Sequence, residues 1–206
     1  MTLIELLQGI SYTTPSDQAL LEQLEITKIT EDSRAVTAGT LFVALRGTQA
    51  DGHRFIPSAI EAGSRAIVLE VLPEELQEGV AYIVVPSSSE VLGLLSSALH
   101  GHPSRQLTVV GVTGTNGKTT IATLLFRLFR ALGYRCGLLS TVCNYIEDEA
   151  ISATHTTPSA PELQALLGRM RDAGCTHVFM EVSSHALAQH RVAGLHFRGG
   201  IFTNLT

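Results

Sequence analysis

One loop of the sequence has the residue types that bind a nucleotide phosphate. It reads Gly114-Thr115-Asn116-Gly117-Lys118-Thr119-Thr120, and it lies between an apolar run and a helical pattern. Glycines let successive backbone amides turn inward, and a helix N-terminus adds free amides and a positive dipole end. Lys118 supplies a mobile charge for terminal phosphates, and the Thr119 hydroxyl can bind Mg²⁺. The segment therefore predicts a site for a magnesium nucleotide.

The match to the general phosphate-loop pattern is incomplete. Val112 stands where the pattern G-x-x-x-x-G-K-[ST] has its first glycine. Together with the lack of an identifiable base-reading motif, this disfavours a P-loop kinase or GTPase. An ordinary glycine turn between a strand and a helix is the remaining alternative, but Gly-Lys-Thr in this context seldom occurs without a nucleotide.

From about residue 107 onward, predicted strands alternate with predicted helices, and residues 143–153 form a hairpin or loop. This order indicates a parallel sheet, in which ligands bind at the carboxyl ends of the strands. The phosphate loop, Thr141, Glu181 and the serines after it all follow predicted strands. We therefore expect them to converge on one edge of the sheet. The following helix carries a predicted buried stripe of Ile121, Leu124, Leu125, Leu128, Phe129 and Leu132.

Glu181 ends an otherwise apolar predicted strand. A buried carboxylate is costly without a partner and Mg²⁺ prefers oxygen ligands, so Glu181 is a candidate magnesium ligand. The alternative is an acid that caps the following turn. Ser183, Ser184 and His185 also suggest a hydrolase, but adjacent residues rarely give the required geometry and the sequence has no G-x-S-x-G motif. We favour the interpretation that the hydroxyls of these serines bind a substrate.

Other polar segments allow two interpretations each. Thr156 and Thr157 precede a helix predicted to begin at Ser159, with Glu162 completing a capping box. Their hydroxyls either hold an anionic substrate or form a plain turn. The segments 32–34 and 47–53 are turns that we place at opposite ends of a predicted strand pair.

Composition narrows the class of protein. The chain has 206 residues, 45% of them hydrophobic, and a net charge of −5. Without a lysine/arginine run, nucleic acid is not an expected partner. No apolar run approaches the ~20 residues that span a bilayer. Met1–Leu7 lacks the basic region of a secretory signal, and the isolated Cys136, Cys143 and Cys175 fit a reducing cytosol, so a cytoplasmic protein is expected.

The loop Thr113–Thr120 resembles the ATP loop of the Mur ligases, the ATP-dependent amide-forming enzymes of peptidoglycan precursor synthesis. Further motifs extend the resemblance over residues 26–206. They are similar to the branch of the family that adds the third amino acid to the peptidoglycan precursor. They are Asp32-Ser33-Arg34, Ala38–Ala44, Gly47–His53, Thr156-Thr157-Pro158, Met180–Leu187, Gln189–Val192 and Phe202–Thr206. Glycine and proline at 101–106 place a domain boundary there.

The resemblance implies an N-terminal α/β domain over residues 1–102 that binds the UDP end of the substrate. Residues 103–206 would be the first part of a P-loop, parallel-sheet ATPase domain. The implied contacts to the UDP end are Glu31, Ser33, Thr48, Gln49 and Ala50. Those to the muramoyl-dipeptide are His155, Thr156, Thr157, Ser183, Gln189 and Arg191, with His155 standing where the family has asparagine. Residues 114–120 would hold ATP, Lys118 and Glu181 would be catalytic, and Thr119 and Glu181 would bind Mg²⁺.

The reaction implied by the resemblance joins diaminopimelate or lysine to UDP-N-acetylmuramoyl-L-alanyl-D-glutamate through an acyl phosphate. The family continues beyond the length of this sequence with a further magnesium-binding segment and an amino-acid-binding domain. The expectation is therefore a fragment that binds substrates and does not form the amide bond alone. A folylpolyglutamate synthase-like ligase and a catalytically silent nucleotide-binding module are the alternatives.

Overall fold

A computed structural model describes residues 1–47, 51–153 and 155–205 of the chain. Its contacts divide the chain into two compact units, Met1–Leu99 and His100–Thr206. Each unit has one β-sheet whose buried residues pack against helices. The chain is therefore a mixed α/β protein built on parallel sheets, as predicted.

The first unit is built on four short parallel strands in sequential order. Strands β2 and β3 are buried along their whole length, as is typical of a parallel sheet covered on both faces. The elements of this unit are α1 (Leu3–Leu6), α2 (Gln18–Gln23), β1 (Lys28–Thr30), β2 (Thr40–Val43), α3 (Ile56–Glu61), β3 (Ala66–Leu69), β4 (Ala81–Val84) and α4 (Ser88–Leu99).

The two polar segments of the first unit, 32–34 and the part of 47–53 that the structure describes, begin at the same edge of its sheet, so the prediction of opposite ends was wrong. β1 and β2 run parallel, with Ile29 opposite Leu41. Segment 32–34 follows the carboxyl end of β1, and Arg46 follows the carboxyl end of β2. A parallel pair brings both carboxyl ends together, whereas a hairpin would have separated them.

The second unit contains the phosphate loop and a larger sheet. Its elements are α5 (Pro103–Gln106), β5 (Thr108–Thr113), α6 (Lys118–Ala131), β6 (Cys136–Leu139), β7 (Cys143–Ile146), β8 (Glu149–Ser152), α7 (Ala160–Asp172), β9 (His177–Glu181), α8 (Ser184–Ala188) and β10 (Gly199–Phe202). The strand order is β10-β5-β9-β6-β7-β8. The first four strands of this order are parallel, and β7 and β8 add an antiparallel hairpin. The predicted parallel sheet is confirmed, and β9 lies between β5 and β6.

Helix α6 covers the sheet with a face that includes Ile121, Leu125 and Phe129 of the predicted stripe. Ala122 and Phe126 are buried against Val112, Leu138 and Phe179. The predicted stripe is only partly right, because its members Leu124, Leu128 and Leu132 are each more than half exposed. Apolar residues cover more than one arc of this helix, so their spacing alone does not select the arc that faces the sheet.

Two local details of the second unit also differ from the sequence-based expectation. Residues 103–106 form a helical turn rather than a free linker, and the Ser104 hydroxyl accepts a hydrogen bond from the His196 amide at 3.0 Å. Ser159 is the N-cap of α7, but its side chain forms no capping bond with the helix. The predicted capping box with Glu162 is therefore absent, although the helix begins where it was expected.

Two further features bear on the class of protein. Among the described residues, the helices are all too short or too polar to cross a membrane. Cys136, Cys143 and Cys175 are free thiols. Burial raises the pKa of both the Cys136 and the Cys175 thiol to about 11, so both are neutral and unreactive near pH 7.

Candidate functional site

Glu181 is the centre of a polar cluster at the carboxyl edge of the second sheet. It is the last residue of β9 and only 1% exposed. Its Oε2 accepts hydrogen bonds from the Thr119 hydroxyl at 2.8 Å and the Thr141 hydroxyl at 3.2 Å. Its Oε1 accepts from the Thr141 amide at 2.8 Å. Within the described ranges, lysine, arginine and histidine form no ion pair with Glu181.

A buried carboxylate with only neutral partners favours a cation. Hydroxyl and amide donors stabilise the charge in part, but they do not neutralise it. The available ligand atoms here are carboxylate and hydroxyl oxygens, which are the type that Mg²⁺ prefers. The described residues contain no group of three or more His, Cys, Asp or Glu that could hold a metal. A metal at Glu181 would therefore need oxygen ligands from water or from a bound phosphate.

The phosphate loop lies directly beside this acid. Gly117, with φ 85°, is the N-cap of α6, and Gly114 has φ 131°. Both angles fall in the left-handed region that favours glycine. Lys118 folds back over the loop, where its Nζ donates to the carbonyl oxygens of Gly114 at 2.7 Å and Thr115 at 3.0 Å. A positive charge and the free amides of the first turn of α6 therefore lie together, as a phosphate site requires.

Thr157 joins the polar loop before α7 to the strand that bears Glu181. Its side chain is buried, and its hydroxyl donates to the Glu181 carbonyl oxygen at 3.0 Å while accepting from the Ser183 amide at 3.2 Å. Thr156 reaches the same cluster, because its hydroxyl oxygen lies 3.1 Å from the Thr141 hydroxyl oxygen. The predicted residues Thr156, Thr157 and Ser183 are thus brought together with Glu181.

Arg191 and Gln189 complete this side of the cluster. The Arg191 Nη1 donates to the Thr157 carbonyl oxygen at 2.9 Å, and its Nε donates to Gln189 Oε1 at 2.9 Å. In the described part of the chain, the Arg191 Nη2 has no hydrogen-bond partner, so one edge of the guanidinium stays available for an anion. His155 is exposed at the start of this loop.

The hydrolase alternative finds no support in this geometry. The Ser183 hydroxyl accepts from the Ala186 amide at 3.1 Å and so caps α8. Ser184 and His185 are exposed, and across the described residues neither serine hydroxyl bonds to His185. A serine nucleophile needs a base within hydrogen-bond reach.

The predicted UDP contacts belong to the first unit. Glu31 and Ser33 follow the carboxyl end of β1 and are half-buried. The Ser33 hydroxyl has no hydrogen-bond partner in the described part of the chain. Thr48, Gln49 and Ala50 lie outside the described residues.

Glu70 and Asp51, two acids at this edge of the first sheet, are bonded to side chains and amides of the same unit. Arg46 Nε lies 3.3 Å from Glu70 Oε2, and Glu70 Oε1 accepts from the Ser88 amide at 3.0 Å and the Ser88 hydroxyl at 2.9 Å. Asp51 accepts from both the amide and the ring Nδ1 of His53, at 3.0 and 2.6 Å. These bonds hold the pKa of the Asp51 carboxyl below its usual value.

Asp32, another acid at this edge, is paired with an arginine. It accepts from the Arg34 side chain at 2.9 and 2.8 Å and from the Arg34 amide at 3.0 Å. The Arg34 guanidinium and amide lower the pKa of the Asp32 carboxyl.

Three residues of the second-unit cluster were given no role in the predicted site, although Thr141 was expected at this edge of the sheet. Thr141 contacts Glu181 through both its amide and its hydroxyl. Thr203 and Asn204 hydrogen-bond to the phosphate loop. Thr141 had a usable signal, since it follows a predicted strand. The contacts of Thr203 and Asn204 depend on the pairing of β10 with β5, which local patterns do not report.

Two family models match the chain. The model described as "Mur ligase family, catalytic domain" matches residues 25–100. The model described as "Mur ligase middle domain" matches residues 112–206. The first match lies almost entirely in the first unit, and the second contains the phosphate loop, Glu181 and Arg191.

Several curated proteins are similar over most of the chain. A UDP-N-acetylmuramoyl-L-alanyl-D-glutamate–2,6-diaminopimelate ligase of Bacteroides fragilis is 59% identical over 185 residues, which are 90% of this chain and 38% of that protein. The protein of the same name from Bacteroides thetaiotaomicron is 53% identical over 206 residues, or 100% of this chain and 42% of that protein. The chain therefore spans about two fifths of the length of these relatives.

A solved structure of a protein with the same name resembles the fold of the whole chain. Its TM-score is 0.80 at 26% sequence identity, and the match covers 100% of this chain and 40% of that chain.

Proposed function

The chain belongs to the Mur ligase family, and from that premise we propose that it binds ATP and UDP-N-acetylmuramoyl-L-alanyl-D-glutamate for an ATP-dependent amide ligase. One observation carries the proposal. The Thr119 hydroxyl, in the helix that follows the phosphate loop, bonds to the buried Glu181 at 2.8 Å, beside the loop that bears Thr157. A phosphate site, a candidate cation ligand and an anion-binding arginine therefore meet at one sheet edge.

The proposed nucleotide site uses residues 114–120. Amides at the start of α6 would hold the phosphates, and Lys118 would exchange its two carbonyl contacts for phosphate oxygens. Glu181 and Thr119 would hold Mg²⁺, because their oxygens suit a hard cation and the described structure offers Glu181 no positive side chain. When bound, Mg²⁺ supplies neutralisation of phosphate charge.

The proposed site for the muramoyl-dipeptide uses His155, Thr156, Thr157, Ser183, Gln189 and Arg191. Arg191 is held by the Thr157 carbonyl and by Gln189, so its guanidinium is oriented before the substrate binds. A fork with one free edge suits a carboxylate or a phosphate, and the substrate has both. The hydroxyls of Thr156 and Thr157 would fix the position of the substrate beside the nucleotide.

The proposed site for the UDP end lies in the first unit, at Glu31, Ser33 and residues 48–50. The Ser33 hydroxyl, which has no hydrogen-bond partner among the residues that the structure describes, lies at a strand's carboxyl end and supports this assignment. The third amino acid is proposed to be diaminopimelate rather than lysine, because both relatives above are named for diaminopimelate.

The contribution of these residues to catalysis would be positioning and electrostatics. The D-glutamate carboxylate attacks the γ-phosphorus of ATP, ADP leaves and an acyl phosphate forms; the amine then attacks the acyl carbon and phosphate leaves. Lys118 neutralises charge on the transferred phosphoryl group, and Arg191 keeps the substrate in line. A charged carboxylate and a charged phosphate repel each other, so both cationic side chains are needed to bring them into contact.

The test is calorimetric titration of this chain with UDP-N-acetylmuramoyl-L-alanyl-D-glutamate, with circular dichroism to establish folding. Ser33→Ala should weaken binding about tenfold, equivalent to about 1.4 kcal/mol for a lost hydrogen bond. Ser58→Ala, an exposed serine of α3, is the matched control and should bind like the parent chain. A folded chain that binds ATP but not this substrate would overturn the proposal in favour of a silent nucleotide-binding module. Binding of folate instead would favour a folylpolyglutamate synthase-like ligase.

A further inference from the structure

The segment that follows β10 packs behind the phosphate loop and is hydrogen-bonded to it. The Thr203 amide donates to the Thr113 carbonyl oxygen at 2.9 Å, and the Thr115 amide donates to the Asn204 carbonyl oxygen at 3.0 Å. The Thr203 hydroxyl lies 2.6 Å from the Asn116 carbonyl oxygen, to which it donates. These bonds connect residues that are almost ninety positions apart in the sequence.

The side chain of Asn204 makes a reciprocal pair with one residue of the loop. Its Oδ1 accepts from the Asn116 amide at 3.0 Å, and its Nδ2 donates to the Asn116 carbonyl oxygen at 3.4 Å. An asparagine amide is suited to this task because it carries an acceptor and two donors, whereas aspartate has only acceptors and alanine has neither. Asn204 therefore fixes both polar groups of one residue of the loop.

This pairing decides which loop amides can face a ligand. The amides of Thr115 and Asn116 are turned toward Asn204, so they do not point into the site. The amides left for phosphate are those from Gly117 into the first turn of α6. Without the Asn204 side chain, the Asn116 amide would be released and this part of the loop would lose its fixed shape, whereas the Thr115 amide would keep its bond to the main-chain carbonyl oxygen of residue 204.

Gly114 shows how close this contact is. A Cβ atom at position 114 would overlap the Thr203 hydroxyl oxygen and would lie 2.9 Å from the Asn204 carbonyl oxygen and 3.0 Å from its nitrogen. The Asn204 atoms that this Cβ would contact belong to the main chain, so a change of side-chain rotamer cannot relieve the overlap.

We propose that Asn204 is a positioning residue for the nucleotide, its side chain holding both polar groups of Asn116 so that the phosphate-binding amides are in place before ATP arrives. This inference rests on the proposed nucleotide function and adds a residue outside the phosphate loop to it. Preorganisation of this kind lowers the ordering cost of binding, so its loss weakens affinity without removing any contact to the ligand.

The first test is calorimetric titration with Mg-ATP. Asn204→Ala should weaken nucleotide binding about tenfold, which corresponds to about 1.4 kcal/mol. Asn204→Asp keeps one acceptor but loses the donor and adds a charge near the phosphates, so it should not restore affinity. Leu205→Ala, at a residue 84% exposed, is the control and should bind like the parent chain. Binding of the UDP substrate in the same variants should stay within about twofold, which a general loss of folding would not allow.

A second pair of variants keeps the test decisive if Asn204→Ala fails to fold. Thr203→Val removes the hydroxyl that bonds to the Asn116 carbonyl oxygen but keeps the shape, and Thr203→Ser keeps the hydroxyl. Valine should weaken Mg-ATP binding severalfold and serine should not. Equal affinity in all variants would overturn the positioning role and leave the proposed function intact. A parent chain that binds no nucleotide would instead overturn both.

Discussion

The two units present the same kind of sheet edge with opposite electrostatics. Both edges gather loops at the carboxyl ends of parallel strands. In the first unit, Asp32 and Glu70 are each paired with an arginine of the same unit, and Asp51 accepts hydrogen bonds from His53. In the second unit, Glu181 is buried and bonded only to hydroxyls and an amide.

The difference indicates which edge needs an added cation. An acid that is paired with an arginine needs no added cation, which agrees with the proposal that the first edge binds its ligand by hydrogen bonds at Ser33. An unpaired buried carboxylate is stable only with a cation or with strong donors nearby. This difference between the carboxyl edges of the two sheets is the basis for proposing hydrogen-bond recognition in the first unit and magnesium binding in the second.

The largest expected effect comes from the close contact in the second unit. Gly114→Ala places a Cβ against Thr203 and Asn204 and also strains a backbone angle of 131°. We expect the affinity for Mg-ATP to fall by more than about 100-fold, because the loop must move away from residues 203–204. Calorimetric titration measures this loss.

Gly133→Ala is the matched control for this effect. It has a similar left-handed angle of 88° but nothing within 4 Å of the new Cβ. It should lose about 1 kcal/mol of stability and keep nucleotide affinity. Equal affinity of Gly114→Ala and the parent chain would show that the contact with residues 203–204 does not shape the site.

A smaller effect is expected from breaking the paired edge of the first unit. Glu70→Ala removes the partner of Arg46 and the acceptor of the Ser88 amide and hydroxyl, at a side chain only 19% exposed. The unfolding free energy of this unit should fall by about 2–3 kcal/mol. Urea denaturation followed by circular dichroism measures it.

Glu70→Gln serves as the control, since it keeps an acceptor for Ser88 and loses only the ion pair. It should cost about 1 kcal/mol. If both variants were equally stable, the ion pair would be the whole contribution of Glu70.

The smallest expected effect concerns the exposed pair of Asp32 and Arg34. Arg34 lowers the pKa of Asp32 below its ordinary 3.8. An acid whose folded pKa is depressed adds stability above its unfolded pKa, and this contribution is lost as the pH falls through the folded pKa. Arg34→Ala should raise the pKa of Asp32 toward 3.8. The unfolding free energy that the protein loses below pH 3.8 through this pair should then no longer be lost.

Nuclear magnetic resonance titration of the Asp32 carboxyl between pH 2 and 6 measures this shift. Arg65→Ala, at an exposed arginine without an ion pair among the described residues, is the control and should leave the pKa of Asp32 unchanged. An unchanged pKa in Arg34→Ala would mean that the arginine does not contribute to the shift.

The sequence predicted the parts of the site that depend on local order. Gly114–Thr120, Glu181 and Thr156–Thr157 each follow a strand or precede a helix, and the carboxyl-end rule for parallel sheets brings them together. It did not predict Asn204, because that contact requires β10 to pair with β5 rather than with another strand. The buried face of α6 was partly wrong for a related reason: leucines occupy two arcs, and only the tertiary packing selects one. The parallel pairing of β1 and β2 was missed because strand direction is not encoded in the strand pattern itself.

The most direct test of the difference between the two edges is the magnesium dependence of nucleotide binding in Glu181→Gln. Dissociation constants for ATP are measured by calorimetry in Mg²⁺ and in EDTA, for the parent chain and the variant. Glutamine keeps the shape and an acceptor for Thr119 but removes the charge. We expect Mg²⁺ to tighten ATP binding at least tenfold in the parent chain and less than about threefold in the variant. The same magnesium dependence in both chains would contradict the assignment of Glu181 as the cation-binding acid of this edge.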